Sequence, residues 1–210
     1  MYNCFNIQKR KRVRKLKAVK PKNAVFIVKN QEAIQLLADF TRAEIIRLLS
    51  RHSMTEKQLS DELGITKAAV GYHLHLLLKA GLIKITKLEA EEHGILQKYY
   101  APVAAMFIID TNNIPKDVKR FFIQTQIEHL RGMFIVFRLY KHISEVSSEK
   151  LEELASALLK QLEQVAQKHL KDGYPKDPES FRVRIYSEAV AKLTEQKEWR
   201  NLFRSRACSS

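Results

Sequence analysis

The chain has 210 residues, of which 45% are hydrophobic, and a formal net charge of +14. That length holds one large or two small domains with a real core, and the basic surplus points to nucleic acid or an anionic membrane surface. The two cysteines, Cys4 and Cys208, lie near the termini without the spacing of a metal clip or a redox pair, which excludes a disulfide framework and suits free thiols in a reducing cytosol.

From Gln8 to Lys22 the chain is almost continuously basic, and no acidic residue occurs before Glu32. Such a block repels itself and is expected to be disordered when free. Residues 1–23 therefore read as an arm that lays Lys9, Arg10, Lys11, Arg12, Arg14 and Lys15 on a DNA backbone or in a minor groove. The rival readings are a nuclear-localisation signal, a membrane-surface patch and a solubility tail. The membrane reading lacks apolar residues to insert. No apolar h-region follows the charges, so no signal peptide is expected, and no apolar run reaches the ~18 residues of a membrane span.

Ala24–Val28 is a short apolar run, either a strand or an extended lead-in. A helix is expected over about Gln31–Ala38, with Ile34, Leu37 and Ala38 inward. Thr41 and Glu44 have the spacing of a capping box opening a second helix through about Ser50. Ile45, Ile46, Leu48 and Leu49 make that helix the centre of the domain. Thr55 with Gln58 is another capping box, starting a short helix that carries Leu59 and Leu63. Gly64 marks a turn, and Thr66 is the N-cap of a longer helix. Val70, Leu74, Leu77 and Leu78 form its buried stripe.

Two helices, a glycine turn and a long second helix make a helix-turn-helix unit. The other face of the second helix presents Lys67, Ala68, Gly71, Tyr72 and His75. Small residues there permit close approach, and long polar ones can reach base edges in a major groove. Leu82–Leu88 and Ile95–Tyr100 read as strands joined by the loop Glu89–Gly94, a wing with an acidic tip. Lys84, Lys87 and Lys98 on its strands are candidate backbone contacts, while Tyr99 and Tyr100 read as core. Ala101–Ile109 is apolar and is expected to pack the wing on the second half of the chain. The turn cluster Asp110–Asn113 is the best domain boundary, giving a DNA-binding unit over 24–110 and a second domain over 111–210.

Beyond it the pattern becomes helical. Lys116 to about His142 repeats Ile123, Ile127, Leu130, Phe134 and Phe137 at four-three spacing, a heptad-like seam. Phe122, Met133, Val136 and Tyr140 form a second stripe. A helix apolar on two sides must be buried on two sides, so the seam is expected to be a dimer interface. Ser147 or Ser148 caps the next helix, which buries Leu151, Leu154, Leu158, Leu162 and Val165 and ends near Gly173. Asp177-Pro178-Glu179 opens the last, to about Phe203. Phe181–Tyr186 within it alternates like a strand.

Residues 30–101 resemble the ArsR-type winged helix-turn-helix family of transcription regulators. Leu36–Arg42 resembles that family's LADPTR motif, with Phe40 where proline is usual, and Ile45–Leu49 resembles its ILRLL helix. Thr66 to Leu74 is similar to its recognition helix, and Lys79–Ile83 to its xAGLV exit into the wing. The resemblance implies a mainly α protein: an N-terminal winged helix-turn-helix domain with a small β-hairpin wing, followed by a helical dimerisation domain. It implies double-stranded DNA as partner, with Thr55, Thr66 and Ala69 beside the exposed face of the recognition helix and His73 at its phosphate-facing edge. Ala69 and Gly71 replace small hydroxyl residues of the family. The family's cysteine pair is absent, so metal sensing is not carried over.

The seven histidines form no metal-ligand pattern, and no phosphate loop, nucleophile elbow or carboxylate pair is recognisable. No cofactor, metal or enzymatic activity is expected. The leading expectation is a cytoplasmic, nucleoid-associated, dimeric regulator, with a small-molecule effector left open. Its rivals are a sequence-tolerant DNA- or RNA-coating protein and a protein-interaction adaptor, because fold alone does not give function.

Overall fold

The computed structural model describes residues 22–90, 96–139 and 146–203, the side chains at 137–139 and 201 excepted. The basic arm through Pro21, the wing tip 91–95 and the segment 140–145 with Tyr140 and His142 lie outside the described residues.

Strand β1 (Asn23–Val28) leads into helix α1 (Gln31–Leu37), whose N-cap is Asn30. Helix α2 (Phe40–Arg51) is capped by Asp39, whose carboxylate accepts from the Arg42 amide at 2.9 Å. This corrects the capping box expected at Thr41 and Glu44. Asp39 reaches the first-turn amides with a charge that the helix dipole favours, which leaves Thr41 inside the helix and Glu44 paired with Arg47. Strand β2 (Met54–Thr55) precedes helix α3 (Glu56–Leu63). The capping box at Thr55 and Gln58 forms as the sequence predicts.

Gly64 closes α3 at φ 65°, the left-handed region where a Cβ is costly. Helix α4 (Lys67–Lys79) starts on Thr66, whose hydroxyl accepts from the Ala69 amide. Gly81, at φ 69°, turns the chain into β3 (Ile83–Ala90). Strand β4 (Leu96–Pro102) pairs antiparallel with β3 and with β2, giving the order β2-β4-β3. The fold of this part is a winged helix-turn-helix.

Strand β5 (Ala104–Ile109) then pairs in parallel with β1. The alternation along this pair divides the core in two. Val25, Ile27, Met106 and Ile108 face one hydrophobic cluster, with the C-terminal helices. Phe26, Val28, Phe107 and Ile109 face the other, with the winged helix. In register, Phe26 meets Phe107 edge-on at 6.0 Å between ring centroids. Strands buried on both faces read as continuous apolar runs, which is why neither segment alternates visibly in the sequence.

A short 3-10 turn, Thr111–Asn113, is capped by Asp110 and held by Glu163, which accepts from the Thr111 amide and hydroxyl. The turn lies at the boundary drawn from sequence, and packing continues across it through the strand pair. The helical layer comprises α5 (Lys116–Leu139), α6 (Ser148–Gln167), α7 (Pro178–Glu195) and α8 (Lys197–Phe203). Ser147 caps α6 and Asp177 caps α7. Phe181–Tyr186 lies within α7: Phe181, Ile185 and Ala189 are buried at helical spacing. Gln196, extended at ψ 136°, separates α7 from α8.

The seam of α5 does not form the expected free interface. Ile127, Leu130 and Phe134 are buried in this chain's own core with α6, α7 and α8, and Ile123 packs against the same cluster. Phe137 lies outside the described side chains. Full burial of such a side chain is worth about 1.5–3 kcal/mol, and α6 already supplies that cover. From the second stripe Phe122 is buried in the winged-helix cluster, whereas Val136 is 51% exposed and its neighbour Ile135 is 60% exposed.

Candidate nucleic-acid interface

The turn at Gly64 and the cap at Thr66 fix where α4 begins, and its buried stripe fixes which way it faces. Val70, Leu74 and Leu77 are fully buried against α2 and α3. The opposite side is thereby left outward. Thr66, Lys67, Ala68 and His75 are exposed, and Tyr72 is 61% exposed. The structure thus brings Lys67, Ala68, Tyr72 and His75 onto one open strip. Ala69 and Gly71 are half-buried at its edge.

Gly71 has a defined neighbour. A Cβ built on it would lie 2.9 Å from Glu56 Oε1, at the end of a side chain from the first turn of α3. The glycine therefore accommodates the preceding helix. Thr55 needs correction as a contact residue. It is 5% exposed and its hydroxyl accepts from the Gln58 amide, so it holds the start of α3 rather than facing outward. His73 is half-buried, edge-on to Tyr72 at 5.6 Å, and its Nδ1 is buried without a hydrogen-bond partner among the described residues. That nitrogen is not presented to a phosphate.

On the wing, a bulge between Ile85 and Lys87 changes which side chains share a face. Lys84 stands opposite Ala101 and Lys87 opposite Tyr99. Those partners are two residues apart, so both lysines lie on one side of the sheet, and Lys98 lies on the other. Thr86, at the bulge, is buried, and its hydroxyl donates to the Tyr99 carbonyl. Sequence reading missed this residue; the signal was the lapse of strict alternation after Ile85. Lys87 bonds Glu89 at 2.9 Å and lies 4.9 Å over the Tyr99 ring. The Glu89 hydrogen bond holds its ammonium above the usual lysine range. Burial pushes Lys84 below that range, and the positive charge of Lys22 adds to the effect. The described end of the basic arm thus lies close enough to the wing for its charge to be felt there.

A polar joint, also missed from sequence, connects α2 to the helical layer. Tyr174 donates to the Ser50 carbonyl at 3.0 Å, Arg182 donates to the Ser50 hydroxyl at 3.1 Å, and Arg51 pairs with Glu179. Its partners lie more than a hundred residues apart in sequence, so no local spacing signals it. Among the described residues no group of three His, Cys, Asp or Glu side chains could hold a metal ion, and no helix is long and apolar enough to cross a membrane.

Several solved structures are similar to part of this chain. One is the homodimeric winged helix-turn-helix DNA-binding domain (fragment 1–100) of Mb0332 from Mycobacterium bovis, a possible ArsR-family transcriptional regulator. It is 19% identical, with a TM-score of 0.30, over 47% of this chain and 75% of that one. Reduced HlyU from Vibrio cholerae is 18% identical, with a TM-score of 0.29, over 52% and 85%. The adhesin competence repressor AdcR from Streptococcus pyogenes is 18% identical, with a TM-score of 0.28, over 61% and 80%. No curated protein sequence matches the chain. A family model does match: residues 37–86, from the end of α1 to the bulge in β3, match the family described as a helix-turn-helix domain.

Proposed function

We propose that the chain is a sequence-specific DNA-binding transcription regulator that lays α4 in the major groove and acts as a homodimer in the cytoplasm, on the nucleoid. The observation that carries this reading is the open strip of Lys67, Ala68, Tyr72 and His75 on a helix whose other side is locked into the core. Lys67 stands in the first turn, where such helices meet base edges, and lysine can donate to guanine O6 and N7. Tyr72 can pack on a thymine methyl or donate to a phosphate.

Selection of binding sites from random DNA tests the reading. A defined palindrome with half-sites ~34 Å apart is the expected result. Smooth coverage would instead favour a sequence-tolerant coating protein, the reading to which the basic arm lends weight. On the selected site, Lys67→Ala is expected to cost ~1–3 kcal/mol and far less on random DNA. Equal losses on both would overturn sequence-specific reading.

The arm, with Lys9, Arg10, Lys11, Arg12, Arg14 and Lys15, is proposed to neutralise phosphates beside the wing. If it neutralises ~4 per subunit, deleting residues 1–22 flattens the slope of log affinity against log salt by ~3.6 per subunit, equally on all sequences. An unchanged slope would make the arm a tail or an address. Because Ile127, Leu130 and Phe134 are internal, the proposed dimer draws instead on exposed apolar positions such as Ile135 and Val136. Sedimentation of the full chain and of Ile135→Glu checks this: the variant is expected to be monomeric, and a dimer unaffected by it would place the contact elsewhere.

A further inference from the structure

Between α2, β5 and the helical layer lies a cavity of about 330 Å³, a size at which small-molecule sites are found. Its walls are mainly apolar, with Ile46 from α2, Phe122 from α5 and Leu162 from α6 among them. Among the described residues that line it there is no Asp or Glu, whereas two arginines, Arg47 and Arg182, are present.

The two arginines differ in what already occupies them. Arg47 is gripped by Glu44, its Nε donating to Oε2 at 2.7 Å. Arg182 donates through one terminal nitrogen to the Ser50 hydroxyl and pairs with Glu179 at 3.1 Å. Its Nε is buried and has no hydrogen-bond partner among the described residues. A buried donor left without an acceptor is costly, and an anionic acceptor makes the strongest bond to a guanidinium. The other polar pair on the wall is satisfied internally, Tyr186 donating to Gln126 Oε1 at 2.8 Å.

We propose that this cavity is a binding site for a small amphipathic monocarboxylate. The apolar body fills the space between Ile46, Phe122 and Leu162, and the carboxylate pairs with the guanidinium of Arg182 at the wall. Several apolar walls with one convergent cationic donor select for an anionic head on an apolar tail, and against a neutral or cationic head on the same tail.

The test is titration of the full chain, without DNA, with decanoate, 1-decanol and decylamine, which share a tail and differ in head. Because DNA is absent, failure here is distinct from failure of the DNA-binding reading. Decanoate is expected to bind one per chain and to raise the melting temperature, decanol to bind at least tenfold more weakly, and decylamine not at all. Arg182→Gln is expected to weaken decanoate at least tenfold and to leave decanol unchanged; equal losses for both ligands would reduce Arg182 to a structural role and overturn the assignment. Thr125→Trp, which fills the cavity from α5, is expected to abolish binding of both. Decanoate binding that survives in a folded Thr125→Trp variant, or that is no tighter than decanol binding, would overturn the proposal. Should Thr125→Trp fail to fold, the head-group series on the wild-type chain and on Arg182→Gln decides alone.

Discussion

Helices α4 and α5 carry apolar stripes equally legible by helical spacing, yet they do opposite things. The stripe of α4, Val70, Leu74 and Leu77, is covered by helices close in sequence, and its other side is left open with Lys67, Tyr72 and His75. Helix α5 is buried on two sides by the chain itself: Leu130 and Phe134 in the helical layer, Phe122 in the winged-helix cluster. Periodicity thus reports how much of a helix is covered, and not by whose surface. A one-sided helix leaves a face for a partner, whereas the two-sided one here mortars two clusters of the same molecule together.

The largest expected effect tests the internal role of α5. Leu130, fully buried, should cost ~2–5 kcal/mol when truncated to alanine, read by urea unfolding, with no change in oligomeric state. Loss of subunit association at unchanged unfolding free energy would return the seam to an intermolecular role and erase the contrast with α4. A smaller effect separates the two ends of the helix-turn-helix. Thr55→Ala removes the capping box and should cost ~1 kcal/mol of stability, leaving the DNA affinity of the folded protein unchanged. A selective loss of DNA affinity would put Thr55 on the outer face after all.

Smaller still is Gly71→Ala. Alanine gains ~1 kcal/mol of helix propensity, offset by the displacement of the Glu56 carboxylate 2.9 Å from the new Cβ. Near-neutral melting is expected, with the gain recovered when Glu56→Ala is added. If the double variant melts no higher than the single one, Glu56 is not the obstacle. The smallest effect is on pH dependence. The hydrogen bond from Arg47 holds Glu44 below the usual carboxylate range, so its folded pKa is lower than its unfolded one. The bridge therefore stabilises α2 above the ordinary glutamate range, and that contribution is lost as pH falls through the lowered value. Both side chains are partly exposed, so the contribution should stay within ~1 kcal/mol. Glu44→Gln should flatten the acid limb of a melting curve taken against pH; an unchanged limb would show that the pair contributes nothing.

How far the sequence could be read depends on the range of the interactions. Thr55 with Gln58, Gly64 and Thr66 act within a few residues, and each stands where its spacing places it. Thr41 and Glu44 satisfy the same spacing, but Asp39 offers a charged cap two residues earlier and takes the helix start. Strand β2 and the pairing of β1 with β5 depend on partners far along the chain, and apolar runs alone do not name their neighbours. At the candidate interface the open strip of α4 follows from helical geometry. The burial of Thr55, the Glu56 neighbour of Gly71 and the bulge at Thr86 come from tertiary packing, which spacing does not encode.

Because β1 precedes the winged helix and β5 comes after it, the winged unit is a loop about 80 residues long whose stem is the parallel pair. Closing such a loop costs little more than closing a shorter one, but pairings this distant in sequence form slowly. The turns and caps of α3 and α4 are expected to assemble first, and the stem to zip later, bringing Val25, Ile27, Met106 and Ile108 to the helical layer. Cutting the chain after Asn113 then yields no independent C-terminal half, since residues 114–210 lose that lid. Such a fragment should bind a hydrophobic dye and melt without cooperativity, and mixing it with residues 22–113 should restore a sharp transition. A cooperative fold in the isolated fragment would show that the stem is dispensable.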